Sequence, residues 1–310
     1  MSLRDLILLI VVLGSVAAAV LFPDFGLVFQ PHLIYFMMLL LFLSFLKIDF
    51  RAFLDTSPSS LLGLAKLVVA KLLVIPLVLY GVCTVVLPEW AIPVLLLSGI
   101  STGVVSPFIA GILEADVPVV LRMVVVTSLL VPFSLPCLVK LLAGTEITIP
   151  LETMVQLLAV VIFVPMVVVY LVRKFVPGVL PVITRVQFPI SLVLFAAINF
   201  GVFSKYASFF FQETGKLLAA IALGYLLCGV YYAVGYFLTP GQGTPQRLAA
   251  AVSMALMNNV LVVVFASRFF GPLSPTLAAV YILPFFTMIV PVRLILNHTE
   301  PISQGKPKEI

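Results

Sequence analysis

A chain of 310 residues that is 63% apolar, only 9% charged and has a mean hydropathy of +1.30 cannot cover itself with polar surface in water, so its solvent is lipid. Its apolar runs far exceed the roughly ten-residue alternation of a barrel strand, which excludes a membrane β-barrel. The net charge of +5 suits cationic loops gathered on one side of a bilayer, and nucleic acid is excluded as a partner.

Taken in order, the first apolar segment runs from Leu6 to Leu21 after Arg4 and Asp5; the acid argues against a cleaved signal peptide and for a first membrane helix. Further segments are predicted over 32–47, 60–87, 91–113, 117–143, 150–172, 186–204, 215–238, 248–270 and 275–296, ten in all. Cys83, Cys137 and Cys228 lie scattered in these runs with no metal-ligand spacing and read as small buried hydrophobes. The polar stretch 298–310 is expected to be a disordered tail.

Ten crossings put both termini on one side. That side collects Arg4, Lys47, Arg51, Arg173, Lys174, Arg185, Arg247, Arg293, Lys306 and Lys308, against Lys140, Lys205, Lys216 and Arg268 on the other. The imbalance predicts cytoplasmic termini and a multi-pass protein of the cell (inner) membrane. Lys66, Lys71 and Arg122 fall inside apolar segments. Lys66 and Arg122 are near enough to a segment end to snorkel, but Lys71 is about 12 residues in, roughly 18 Å at 1.5 Å per residue, beyond that reach.

Two segments are interrupted. Val94 to Leu113 contains Gly99, Ser101, Thr102, Gly103, Ser106 and Pro107, and Ala250 to Gly271 contains the adjacent amides Asn258 and Asn259. Polar groups at mid-membrane are costly unless they face protein, water or a ligand. Each broken segment is fourth in a set of five, and each is followed by a proline-punctuated helix, with Val131-Pro132-Phe133-Ser134 in one half and Leu283-Pro284-Phe285-Phe286 in the other. This predicts two inverted five-helix repeats, 1–149 and 150–297, whose broken helices cross near the midplane.

With these features the chain resembles the bile acid:sodium symporter family of secondary transporters. The resemblance rests on LSFLKIDF at the end of the second segment, GISTGVVSP in the fourth, the helix after it, and Met257-Asn258-Asn259 in the ninth. It implies an all-α membrane fold with a panel (gate) domain and a core domain, helices four and nine crossing in the core, and binding of an organic anion and usually two sodium ions there.

Departures from the family pattern bear on the ions. The family's sodium sites use an Asn after the Ser of helix four, hydroxyl residues on helix five, and a Glu and a Gln on helix nine. Here Ser106 keeps its hydroxyl, but Pro107 takes the Asn position, Val120 and Val124 the hydroxyl positions, Met254 the Glu position and Asn258 the Gln position. A hard cation needs several oxygen ligands and a carboxylate to offset its charge, so these replacements predict transport without sodium, and no cofactor or metal is expected. The helix-three position that carries an amide in the family is Lys71, whose ammonium is expected to take the place of a sodium ion and also to be able to carry a proton.

The expected substrate-binding residues are Lys71, Thr102, Gly103, Ser106, Asn258 and Asn259, with Asn199 facing either the cavity or a neighbouring helix. With a cation, helix starts and no midplane carboxylate, the site calls for a small organic anion, bile-salt-like or a short carboxylate. Two alternatives stay open: a sodium-coupled symporter as in typical family members, or a passive anion uniporter or channel. An enzyme is not expected. Gly99-Ile-Ser101-Thr-Gly103 matches G-x-S-x-G, but the histidines, His32 and His298, sit at segment ends, away from that serine. The oligomeric state is left open.

Overall fold

The computed structural model describes residues 3–46, 58–144, 150–289 and 291–292. Lys47, Asp49, Arg51, Asp55, Glu146, Arg293, Lys306, Lys308 and the 298–310 tail lie outside the described residues, as do the junction at 149 and the KIDF half of LSFLKIDF.

The described chain is helical, with one isolated antiparallel bridge. In order the helices are α1 (Leu3–Leu21), α2 (Pro23–Leu27), α3 (Leu33–Phe45), α4 (Pro58–Val69), α5 (Ile75–Val86), α6 (Ala91–Ser98), α7 (Ser106–Ile112), α8 (Val117–Ala143), α9 (Leu151–Phe175), α10 (Leu180–Phe203), α11 (Ala207–Gln212), α12 (Thr214–Phe237), α13 (Thr244–Ala255), α14 (Asn259–Phe269), α15 (Leu273–Val280) and α16 (Ile282–Thr287). Among the described residues six helical stretches are long and apolar enough to cross a membrane: Pro23–Phe45, Ser60–Val86, Val117–Ala143, Leu151–Phe175, Pro177–Gln212 and Thr214–Phe237. The chain is therefore a multi-pass membrane protein.

Local chemistry explains most boundaries. Asp116 caps α8 by accepting from the Val119 N–H at 3.2 Å, and Pro118 sits in the first turn, where its missing N–H costs nothing. Pro132 and Pro136 inside α8, Pro165 in α9 and Pro189 in α10 are held within long helices, as neighbouring helices in a membrane permit. Between α4 and α5 the helix widens into one π turn, Ala70–Val74, just before Pro76, which cannot supply the next helical N–H. The seventh predicted segment, 186–204, is longer than expected: α10 begins at Leu180, with Arg185 exposed and Gln187 buried on it, donating to the Leu43 carbonyl. The tenth is divided at Tyr281, just before Pro284. Cys83 and Cys228 are buried as expected, whereas Cys137 is exposed on α8.

The helices form two layers. In one, α10 packs on α1 and α3, and α3 on α9. In the other, α12 packs on α13 and α15, α5 and α15 on α6, and α8 on α7 and α13. The layers meet where α3 and α10 touch α14, α8 touches α9, and α1 touches α16. Each layer draws helices from both halves of the chain.

Candidate functional site

Both interrupted segments are true breaks, and they face each other. Between α6 and α7, and between α13 and α14, the chain leaves the helix, and Thr102 pairs with Met257 in an antiparallel bridge. The Gly103 N–H donates to the Leu256 carbonyl at 2.8 Å, and the Asn258 N–H to the Ser101 carbonyl at 3.0 Å. Side chains add to the pairing: the Thr102 hydroxyl donates to the Ser253 carbonyl at 2.9 Å, and the Ser106 hydroxyl to the Leu256 carbonyl at 3.3 Å. Unwound backbone in a membrane interior needs partners for its N–H and C=O groups, and here each break supplies some of the other's.

Gly103 is required by this contact. A Cβ there would lie 2.6 Å from the Met257 carbonyl oxygen. Around the pairing, the Thr127 hydroxyl accepts from the Thr102 N–H at 3.0 Å, and the Tyr281 hydroxyl donates to the Ala255 carbonyl at 2.7 Å. The Asn258 side chain caps α14 by accepting from the Leu261 N–H at 3.4 Å. Pro107 occupies the first turn of α7, a helix-starting position for which its fixed φ suits it.

Lys71 lies on the π turn and is 1% exposed. Its Nζ donates to the Met254 carbonyl at 2.8 Å, touches the Met257 sulfur, and lies 5.8 Å from the centre of the Tyr231 ring. Among the described residues no carboxylate pairs with it. An ammonium taken from water costs several kcal/mol, and a carbonyl, an aromatic face and a polarisable sulfur are the groups that offset this cost without a counter-charge. Val120, Val124 and Met254 are completely buried.

On the other side of the same pairing lies a cavity of about 80 Å³. Gly103, Met257, Asn258 and Asn259 form its polar wall, and Leu40, Leu41, Phe195, Phe285 and Phe286 its apolar one. The Asn259 amide oxygen is buried there with no partner. Met257 links the two features: it lines the cavity while its sulfur meets the Lys71 ammonium. Ligand pockets are usually roughly 300–1,000 Å³, and this cavity is smaller than that.

Of the residues expected to bind substrate, Thr102, Gly103, Ser106, Asn258 and Asn259 are brought together with Lys71. Gly103 and Ser106 both spend their donors on the Leu256 carbonyl, and the Asn259 N–H is spent on the Met257 carbonyl at 3.0 Å. Asn199 is elsewhere: its Nδ2 donates to the Ser15 hydroxyl at 2.9 Å, between α10 and α1. Lys66 is exposed, but Arg122, expected to snorkel, donates from Nη1 to the Ser60 hydroxyl at 2.8 Å and from Nε to the Pro118 carbonyl at 3.4 Å. Thr127, Ser253 and Tyr281 were not singled out by sequence. Isolated hydroxyls in apolar runs give little signal, because most of them satisfy their own helix.

The sequence matches the family model described as Sodium Bile acid symporter family over residues 31–213, more than half of the chain. The chain belongs to the sodium bile acid symporter family. Its matched region holds Lys71 and the first break, and the second break lies beyond it. Membership and the membrane-crossing helices make this protein a multi-pass transporter of that family. No curated protein matches the chain.

Proposed function

We propose that the protein is a secondary transporter that carries an organic anion with an apolar body across the cell (inner) membrane by alternating access, without sodium. The observation that carries this reading is the buried Lys71 ammonium on the Met254 carbonyl, beside a cavity with amide groups on one wall and aromatic and aliphatic side chains on the other. The fixed charge of Lys71 does what a coupling cation would do: it makes the crossing electropositive enough to accept an anion. The apolar wall suits a bile-salt-like molecule or a carboxylate with a hydrocarbon body, and the amides of Asn258 and Asn259 suit its polar head. Opening of the two layers on alternate sides would enlarge the small cavity and expose it to each compartment in turn. We read the chain as ten crossings in two inverted halves, 1–149 and 150–297, with cytoplasmic termini, because each layer draws on both halves and the loop cations favour that side. Proton exchange on Lys71 is the accompanying proposal for coupling.

The test is uptake of labelled bile salts and short carboxylates, pantoate among them, into proteoliposomes with sodium or choline outside. Thermal unfolding in sodium, potassium and choline chloride is measured in parallel. Saturable uptake that is the same in both media, with no sodium-specific shift in Tm, is expected. A saturable Tm increase found only in sodium would mean that an ion site survives, because a ligand of the folded state must stabilise it by mass action. That result would overturn the sodium-free mechanism.

A further inference from the structure

A second cavity, of about 300 Å³, opens on the same seam between the layers. Its walls come from the segment before and at the start of α3 (Gln30, Ile34), from α9 (Leu157), and from the ends of α10 and α14. Two cations line it, Lys205 and Arg268, and none of its lining residues is acidic. The Lys205 Nζ donates to the Ser267 carbonyl at 3.4 Å, which ties the end of α10 to the residue just before Arg268. Both cations are exposed, and among the described residues no carboxylate pairs with either.

Position gives this cavity its meaning. Three helices wall both it and the cavity at the breaks. Along α3 they are reached from Ile34 and Leu41, along α10 from Val202 and Phe195, and along α14 from Val264 and Val260. The offset is seven residues along α3 and α10, roughly 10 Å, and four along α14, roughly 6 Å, so the two cavities share a seam, with the buried Met37 and Ile198 in the stretch between. The end of the molecule in question is the one that has few loop cations by sequence, yet two of its four converge on one cavity between layers. Snorkelling to the membrane surface would not by itself require both of them to line one cavity.

We propose that this cavity is an anion-capture vestibule, in which Lys205 and Arg268 hold the carboxylate or sulfonate head of an organic anion before it passes along the α3, α10 and α14 seam to the breaks. This rests on the transport reading for its purpose, but its electrostatics stand alone. Paired cations over a low-dielectric wall concentrate anions locally, and Ile34, Leu157 and Val264 offer an apolar body somewhere to lie.

The experiment places a reporter thiol in the vestibule. Cys83, Cys137 and Cys228 are replaced by alanine, Ile34→Cys is introduced, and the protein is set in nanodiscs of neutral phosphatidylcholine so that no anionic headgroup competes. Modification rates are compared for a sulfonate and a trimethylammonium methanethiosulfonate reagent. We expect the sulfonate reagent to react about tenfold faster relative to its rate with a free thiol, a preference that weakens in high salt. Lys205→Gln with Arg268→Gln should abolish the preference, and Lys205→Arg with Arg268→Lys should keep it. Taurocholate, as a probe of head-and-body fit, should slow modification saturably, and less so in the neutralised variant. No preference for the anionic reagent, or a preference that survives neutralisation, overturns the vestibule. Protection that is equal in the neutralised variant overturns the assignment of these two cations. If no anion is taken up by proteoliposomes while the reagent preference holds, the transport reading fails and the electrostatic assignment does not.

Discussion

The Lys71 ammonium nitrogen lies 2.8 Å from the Met254 carbonyl oxygen, a residue 183 positions later in the chain. The cation comes from one helix and its acceptor from the unwinding end of another. Lys71→Met keeps the length of the side chain and removes the charge. If the Lys71 charge is what draws the anion to the breaks, its removal should lower uptake by roughly tenfold or more, about 1.4 kcal/mol. Removing a buried charge relieves its desolvation cost, but the Met254 carbonyl loses its donor at a cost of about 1–3 kcal/mol, so the two effects oppose and Tm should change little. Unchanged uptake in Lys71→Met would remove the ammonium from the mechanism.

At Gly103 the close approach of the two breaks can be tested without touching any charge. Gly103→Ala forces a methyl group to within 2.6 Å of the Met257 carbonyl and must push the breaks apart. A loss of about 1–3 kcal/mol of stability is expected from overpacking of this kind. Gly63→Ala on α4, where nothing lies within 4 Å, is the comparison and should change stability by no more than about 1 kcal/mol. Chemical denaturation of the two variants side by side decides it; equal stabilities would mean that the breaks are not in contact.

Tyr281→Phe removes one hydroxyl, the donor to the Ala255 carbonyl at 2.7 Å. That carbonyl ends α13 just before the break, and without the hydroxyl it is left buried and unpaired. The expected cost is about 1–3 kcal/mol. Thr102→Val, which removes the donor to the Ser253 carbonyl, should cost a similar amount. The double variant should cost more than either alone but less than their sum if both hydroxyls support one pairing. Strict additivity in thermal unfolding would argue for two independent sites.

Asn199 and Asn259 should separate by the parameter they change. Asn199 bonds Ser15 across the α1 and α10 contact, so Asn199→Leu should lower stability by about 0.5–2 kcal/mol and leave the KM for a transported anion unaltered. Asn259 lines the cavity and holds an unpartnered amide oxygen, so Asn259→Leu should raise KM at little cost in stability. The opposite pattern in uptake kinetics would move Asn199 into the site and Asn259 out of it.

Read alone, the sequence shows the solvent, the helical class and the two places where helix is interrupted. Apolar runs with few charges require lipid and helices, and Gly99, Gly103 and the Asn258, Asn259 pair cannot continue such a helix without a partner. It also marked Lys71 as unusual, because an ammonium so deep in an apolar segment has no local explanation. Only the tertiary structure decided what meets what. The pairing of Thr102 with Met257, the Met254 acceptor for Lys71, and the return of Asn199 to Ser15 all join residues more than 150 positions apart. Sequence periodicity reports which face of one helix is apolar, and in a membrane nearly every face is, so it carries no record of the partner. The convergence of Lys205 and Arg268 on one cavity was hidden for the same reason: each is an ordinary helix-end cation until the fold places them together.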